Sequence, residues 1–162
     1  MRAEWPLDPQ VTYLNHGTVG VTPRRVLAEQ QRIRDEIERQ PSQFLLRELT
    51  AITVGPPGGG PPRMRCAAAA VAAVVGAEPD DLVFVDNATT GANAVLRSFP
   101  LGPGDEILVT DLTYGGVTRA AMFAARERGA EVRTAVMPYP VRSAGELVDA
   151  CVAALGPRTR LM

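Results

Sequence analysis

An α/β fold built on a mostly parallel sheet is the architecture this sequence predicts, and three observations predict it. From Asp80 onward, short apolar β-type runs at 82–85, 106–110 and 131–137 alternate with helical runs at 92–99, 115–128 and 143–155. Each helical run lies between two strand-like runs, the order that parallel pairing with right-handed crossovers requires. Finally, Leu82-Val83-Phe84-Val85-Asp86-Asn87-Ala88-Thr89-Thr90-Gly91-Ala92-Asn93 passes from an apolar run through small polar residues straight into a helical start. The first backbone N–H groups of a helix have no intrahelical acceptor, and the positive end of the helix dipole lies there. Such a junction suits an anion, most often a phosphate, and the hydroxyls of Thr89 and Thr90 would add donors.

The elements follow in order along the chain. Residues 1–22 read as an extended arm and loop, with Val11-Thr12-Tyr13-Leu14 a short apolar piece and Asn15-His16-Gly17-Thr18-Val19-Gly20 rich in turn formers. Thr22-Pro23 predicts a helix start, with Thr22 capping and Pro23 at the first helical position. That helix runs to about Gln40. It carries Val26, Leu27, Gln30, Ile33 and Ile37 on one face and Arg32, Arg34, Asp35, Glu36, Glu38 and Arg39 on the other. Pro41 ends it, and 42–53 is expected to form a second, shorter helix.

Residues 55–62, Gly55-Pro56-Pro57-Gly58-Gly59-Gly60-Pro61-Pro62, read as a linker inside a helical segment spanning 23–76. They lack the Gly-Lys-Ser/Thr ending of a phosphate-binding loop, and proline removes the N–H groups such a loop needs. Residues 63–76 form an Ala/Val-rich helix stopped by Gly76. From 77 to the end the α/β pattern holds. In its last helix Leu147, Val148, Cys151, Val152 and Leu155 make one apolar stripe. Leu161-Met162 reads as the opening of a further strand, so the chain is expected to be the N-terminal piece of a longer domain.

Bulk composition narrows the function classes. There are 17 basic and 18 acidic residues, a net charge of −1, and no basic cluster interleaved with aromatics, which argues against nucleic acid. The longest apolar stretch, 66–76, is too short and too alanine-rich to span a bilayer, and the first residues have no apolar signal core. A single histidine, His16, argues against a multi-histidine metal site. Two cysteines, Cys66 and Cys151, make no disulfide framework and read as buried free thiols in helices, which fits a reducing cytoplasm. All 17 basic residues are arginine, so any chemistry needing a lysine must draw it from elsewhere.

In open parallel sheets, ligands bind beyond the carboxyl ends of the strands. Two such ends stand out: Asn87-Ala88-Thr89-Thr90-Gly91, and Thr110-Asp111-Leu112-Thr113-Tyr114-Gly115-Gly116. A phosphate at the first and the ring of Tyr114 at the second suit a flat, phosphorylated, aromatic cofactor. The alternative reading is that Thr89 only caps a helix and Tyr114 only packs.

Tyr13-Leu14-Asn15-His16-Gly17, Phe84-Val85-Asp86-Asn87-Ala88-Thr89-Thr90-Gly91-Ala92-Asn93 and Pro103-Gly104-Asp105-Glu106-Ile107-Leu108-Val109-Thr110-Asp111 together resemble the class V aminotransferases, a branch of the fold-type I pyridoxal-phosphate enzymes. Within that family the isopenicillin N epimerase-like proteins look most similar. The resemblance runs from about Tyr13 to Met162 and is weakest around the Gly/Pro run. It implies an incomplete fold-type I large domain with pyridoxal 5'-phosphate as cofactor. Ala88 and Thr89 would hold the phosphate, and Tyr114 would stack on the pyridine. Asn15, His16 and Gly17 would meet a small amino-acid or peptide substrate, although His16 also reads as a structural residue of its loop.

The resemblance also implies a homodimer in the complete protein and chemistry at the α-carbon of the substrate. The acidic partner of the pyridine nitrogen and the Schiff-base lysine would lie beyond Met162, leaving these residues inactive alone. A carbon–sulfur lyase or cysteine desulfurase on the same scaffold is the second reading. A non-catalytic phosphate- or nucleotide-binding α/β module, or a degenerate remnant, belongs to a different class.

Overall fold

The computed structural model describes residues 2–52 and 54–162. They fall into two units, one up to Val83 and one from Phe84. In the first, helix α1 (Arg24–Arg39) follows an arm that, unlike the extended segment expected, opens with a 3-10 turn at Arg2–Glu4 and turns again at 9–10 and 16–18. Pro23 stays outside the helix with ψ 145°, and its carbonyl accepts the N–H groups of Val26 and Leu27, so Pro23 rather than Thr22 is the cap. The chain continues through the short α2 (Pro41–Gln43) into a π-helical turn, Phe44–Leu49. The helix expected over 42–53 is thus divided between two helix types; Thr53 lies outside the described residues. Residues 55–62 are irregular around one turn at 57–58, and α3 (Arg63–Val75) ends at Gly76, whose φ of 72° is the left-handed conformation that closes a helix.

Arg63 is the hub of this unit. Its guanidinium lies 4.7 Å above the ring of buried Phe44 and reaches Glu36 of α1 at 2.6 Å and Glu48 at 3.0 Å. The methyl groups of Ala68 and Ala72 on α3 are fully buried, the consequence of an alanine face that lets other elements approach closely. The Cys66 thiol is exposed, against the expectation of burial, because it lies off that face, where it donates to the Pro61 carbonyl at 3.7 Å.

The second unit contains α4 (Ala88–Ser98), β1 (Glu106–Thr110), α5 (Gly115–Arg128), β2 (Glu131–Ala135), α6 (Ala144–Ala154) and β3 (Thr159–Leu161). The three strands form a parallel sheet in the order β2-β1-β3. Side chains of β1 alternate between its faces. Ile107 and Val109 pack with Leu96 of α4 and with Ala121, Ala124 and Ala125 of α5. Leu108 packs on the other side with Ala135, Met137 and the α6 residues Leu147, Ala150, Cys151 and Ala154. Helices on opposite faces are what right-handed crossovers running first to one side of β1 and then to the other demand.

Two expectations change here. Residues 82–85 pair with no strand among the described residues, and Val83, Phe84 and Val85 are exposed. An apolar run becomes a strand only when a neighbouring edge accepts its hydrogen bonds. The half-buried stripe of α6 is Leu147, Ala150, Cys151 and Ala154, whereas Val148, Val152 and Leu155 are exposed. The small alanines face the sheet because they allow close helix–sheet contact.

One buried carboxylate ties the three strands together at their amino ends. Glu106 of β1 is 6% exposed, accepts the Thr159 hydroxyl at 2.9 Å, and lies 3.8 Å from both Arg133 of β2 and Arg158.

Candidate cofactor-phosphate site

Asn87 starts α4. Its backbone is extended, with φ −164° and ψ 168°, and its side-chain oxygen accepts the Thr90 N–H at 2.8 Å, while its carbonyl accepts the Gly91 N–H at 3.1 Å. This is an N-cap, a role the sequence offered to Thr89. The signal was available, because asparagine leads the preferred cap residues and stands at the point where the polar turn meets the helix. With Thr90 and Gly91 satisfied, the N–H groups of Ala88 and Thr89 and the half-buried Thr89 hydroxyl have no acceptor among the described residues. Thr90 turns its hydroxyl back to Asn87 Oδ1 at 3.2 Å, so of the two threonines only Thr89 keeps its hydroxyl unengaged.

Tyr114 caps α5 just beyond the carboxyl end of β1 and is 69% exposed. Its ring lies over Gly116, where an added Cβ would fall 2.5 Å from the ring's Cε1. The starts of the two helices share one apolar hollow of about 230 Å³. Ala92 of α4, Val117 of α5, Val109 of β1, Leu161 and Met162 are among its walls.

Asn15, His16 and Gly17 are exposed and belong to the other unit. The His16 ring lies 4.8 Å from Tyr13 in an edge-on arrangement and 5.9 Å from Trp5. The Tyr13 hydroxyl donates to the carbonyls of Asn15 and Val19 and fixes the loop, and Arg2 donates to the carbonyls of Asp8, Pro9 and Val11. Ala88, Thr89 and Tyr114 therefore belong to one unit, and the Asn15-His16-Gly17 loop to the other.

The donor set suits a phosphate monoester on a flat ring. It offers two adjacent backbone N–H groups and one hydroxyl at a helix N-terminus, with no acidic residue from 87 to 91, and an exposed aromatic ring at the next helix start. An amine is lacking, since the chain contains no lysine.

Residues 62–162 match the model of the aminotransferase class-V family. The chain belongs to that family. Two isopenicillin N epimerases are similar along almost all of it: that of Amycolatopsis lactamdurans is 37% identical over 99% of this chain, and that of Streptomyces clavuligerus 33% over 99%. A probable chloroplastic L-cysteine desulfhydrase of Arabidopsis thaliana is 30% identical over 88%. This class-V chain spans 38%, 37% and 29% of the lengths of those relatives. A solved structure of a C-DES mutant, with glycine covalently linked to its PLP cofactor, superposes with a TM-score of 0.74 at 22% identity. That match covers 99% of this chain and 40% of C-DES. The fold of the class-V chain is accordingly that of part of a fold-type I pyridoxal-phosphate enzyme.

Among the described residues no helix is long and apolar enough to cross a membrane.

Proposed function

We propose that this chain supplies the phosphate cradle and one stacking ring of a pyridoxal-phosphate site in an isopenicillin N epimerase-like enzyme. The observation that carries the reading is the pair of unpartnered N–H groups on Ala88 and Thr89, left over by the Asn87 cap. Ala88 and Thr89 bind the phosphate oxygens, Thr89 through its hydroxyl as well. Tyr114 lies against the ring, and Asn15, His16 and Gly17 serve the substrate side. Pyridoxal phosphate, when bound, supplies an electron sink that stabilises negative charge at the α-carbon of an amino acid or peptide. What this chain's own residues do is bind and orient, because a chain with no lysine supplies no Schiff-base amine.

Similarity to two epimerases supports chemistry at the α-carbon. Similarity to L-cysteine desulfhydrases supports carbon–sulfur cleavage as the second reading. The complete protein is read as a cytoplasmic homodimer acting on a small amino-acid or peptide substrate; two thiols without a disulfide suit a reducing compartment.

Calorimetric titration with pyridoxal phosphate, inorganic phosphate and a mononucleotide tests the cradle. Tighter binding of pyridoxal phosphate than of the mononucleotide, weakened by Thr89→Val, is expected. The reverse order of affinity favours a nucleotide module and overturns the proposal. With cofactor added, the 162-residue chain is expected not to racemise or deaminate amino acids.

A further inference from the structure

We infer that Thr113 and Asp111 are positioning residues that seat the Tyr114 ring, with Gly116 providing the space. The inference rests on the reading of Tyr114 as the cofactor's stacking ring.

The turn after β1 is tied at two points. Thr113 Oγ1 accepts the Thr110 N–H at 3.0 Å and lies 3.0 Å from the Thr110 hydroxyl, while the Thr113 N–H donates to the Thr110 carbonyl at 3.0 Å. The Thr113 side chain therefore closes the turn onto the last residue of β1. Asp111 ties it sideways. Its N–H donates to the Ala135 carbonyl at 3.0 Å, and its Oδ1 accepts the N–H of buried Met137, also at 3.0 Å. The turn is thus anchored to both β1 and the end of β2.

Tyr114 comes next in sequence. An exposed tyrosine at a loop tip ordinarily samples several rotamers, and fixing it on binding costs affinity. Here the backbone is held from both sides, and the ring rests where a side chain at residue 116 would otherwise stand. The ring is preorganised while remaining 69% exposed to a ligand. The three residues act through Tyr114, not on the ligand.

The test uses the chain itself with Thr113→Val, Thr113→Ser and Gly116→Ala. Thr113→Val is expected to weaken pyridoxal phosphate binding by about threefold to tenfold, the range of a lost stacking contact, and to leave inorganic phosphate binding unchanged. Thr113→Ser, which keeps the hydroxyl, is expected to restore it. Gly116→Ala is expected to weaken pyridoxal phosphate binding without lowering the melting temperature, because alanine favours the helix while displacing the ring. The ring signal of Tyr114 in NMR spectra of ¹³C-tyrosine-labelled protein, assigned with Tyr114→Phe, is expected to move in Thr113→Val and Gly116→Ala.

A ring signal that moves in neither variant overturns the inference, whatever the cofactor does. Equal loss of both ligands in Thr113→Val, in step with its melting temperature, makes Thr113 merely structural and also overturns it. Wild-type protein that binds pyridoxal phosphate no more tightly than inorganic phosphate defeats the proposed function instead, and the ring signal still decides whether the seat exists.

Discussion

The side-chain oxygen of Asn87 accepts the N–H of Thr90 across 2.8 Å, and this one bond determines which donors at the start of α4 are left for a ligand. Because the cap consumes the third N–H of the helix and not the first two, stability and ligand binding are separable at this residue. Asn87→Ala is expected to cost about 1 kcal/mol, the usual value of a lost N-cap. Asn87→Asp keeps the acceptor and places a negative charge beside the helix start, so its melting temperature holds while phosphate affinity falls. Thermal melts paired with phosphate titrations check both outcomes.

Glu106 is expected to matter more to the sheet than any exposed charge. Glu106→Ala removes the acceptor of the Thr159 hydroxyl and the anion between Arg133 and Arg158, at a cost of about 2 kcal/mol. Both arginines are about half exposed, so much of the ionic part is already screened. Thr159→Val is expected to cost about 1 kcal/mol, and the double variant less than the sum, as urea denaturation of all three will show.

Along α6, substitutions are expected to follow the half-buried stripe that packs on the sheet. Val152→Ala removes exposed methyl groups and should change stability by no more than about 0.5 kcal/mol. Leu108→Ala, beneath that helix at 1% exposure, should cost about 2–5 kcal/mol. Comparable losses at the two positions would restore the stripe through Val148 and Val152.

Acid is expected to loosen the helical unit through α1. The Arg63 guanidinium, hydrogen-bonded to Glu36 and assisted by Arg32, holds the Glu36 carboxyl below its ordinary value of 4.5. Arg32 does the same for Glu29, first by a hydrogen bond and then by its charge. A carboxyl lowered in the folded state adds stability that is fully present above pH 4.5 and is lost as pH falls below it. Both groups are solvated, so the effect is small and salt-sensitive. Glu36→Gln should flatten the acid limb of the stability–pH curve below 4.5, and added salt should do so in part.

Much of the second unit was legible because its cues are local. The run Glu106-Ile107-Leu108-Val109-Thr110 is apolar and flanked by turn formers, and it is β1 to the residue. Gly76 marked a helix end that the left-handed backbone confirms, with φ of 72°. What escaped depends on partners distant in sequence. Residues 82–85 look like a strand by composition, yet nothing among the described residues pairs with them. In the α6 stripe Leu147 and Cys151 were read correctly, but Val148 and Val152 were taken for the alanines, because valine is more apolar whereas the helix–sheet gap selects for size. Near the candidate site, what was legible is the position of Ala88, Thr89 and Tyr114 at helix starts. The hydrogen bonds of Thr113 and Asp111 were not, since only three-dimensional structure displays them.

The strand order β2-β1-β3 also bears on how the protein is made. The middle strand leaves the ribosome before either neighbour. At 5–20 residues per second, β1 waits roughly 1–5 seconds for β2 and roughly 3–10 seconds for β3. Until α5 emerges, Ile107 and Val109 have only α4 beside them, and Leu108 on the other face stays uncovered until α6 follows. The nascent chain therefore carries its stickiest strand longest without cover, and chaperone demand should peak between the emergence of Thr110 and that of Leu161.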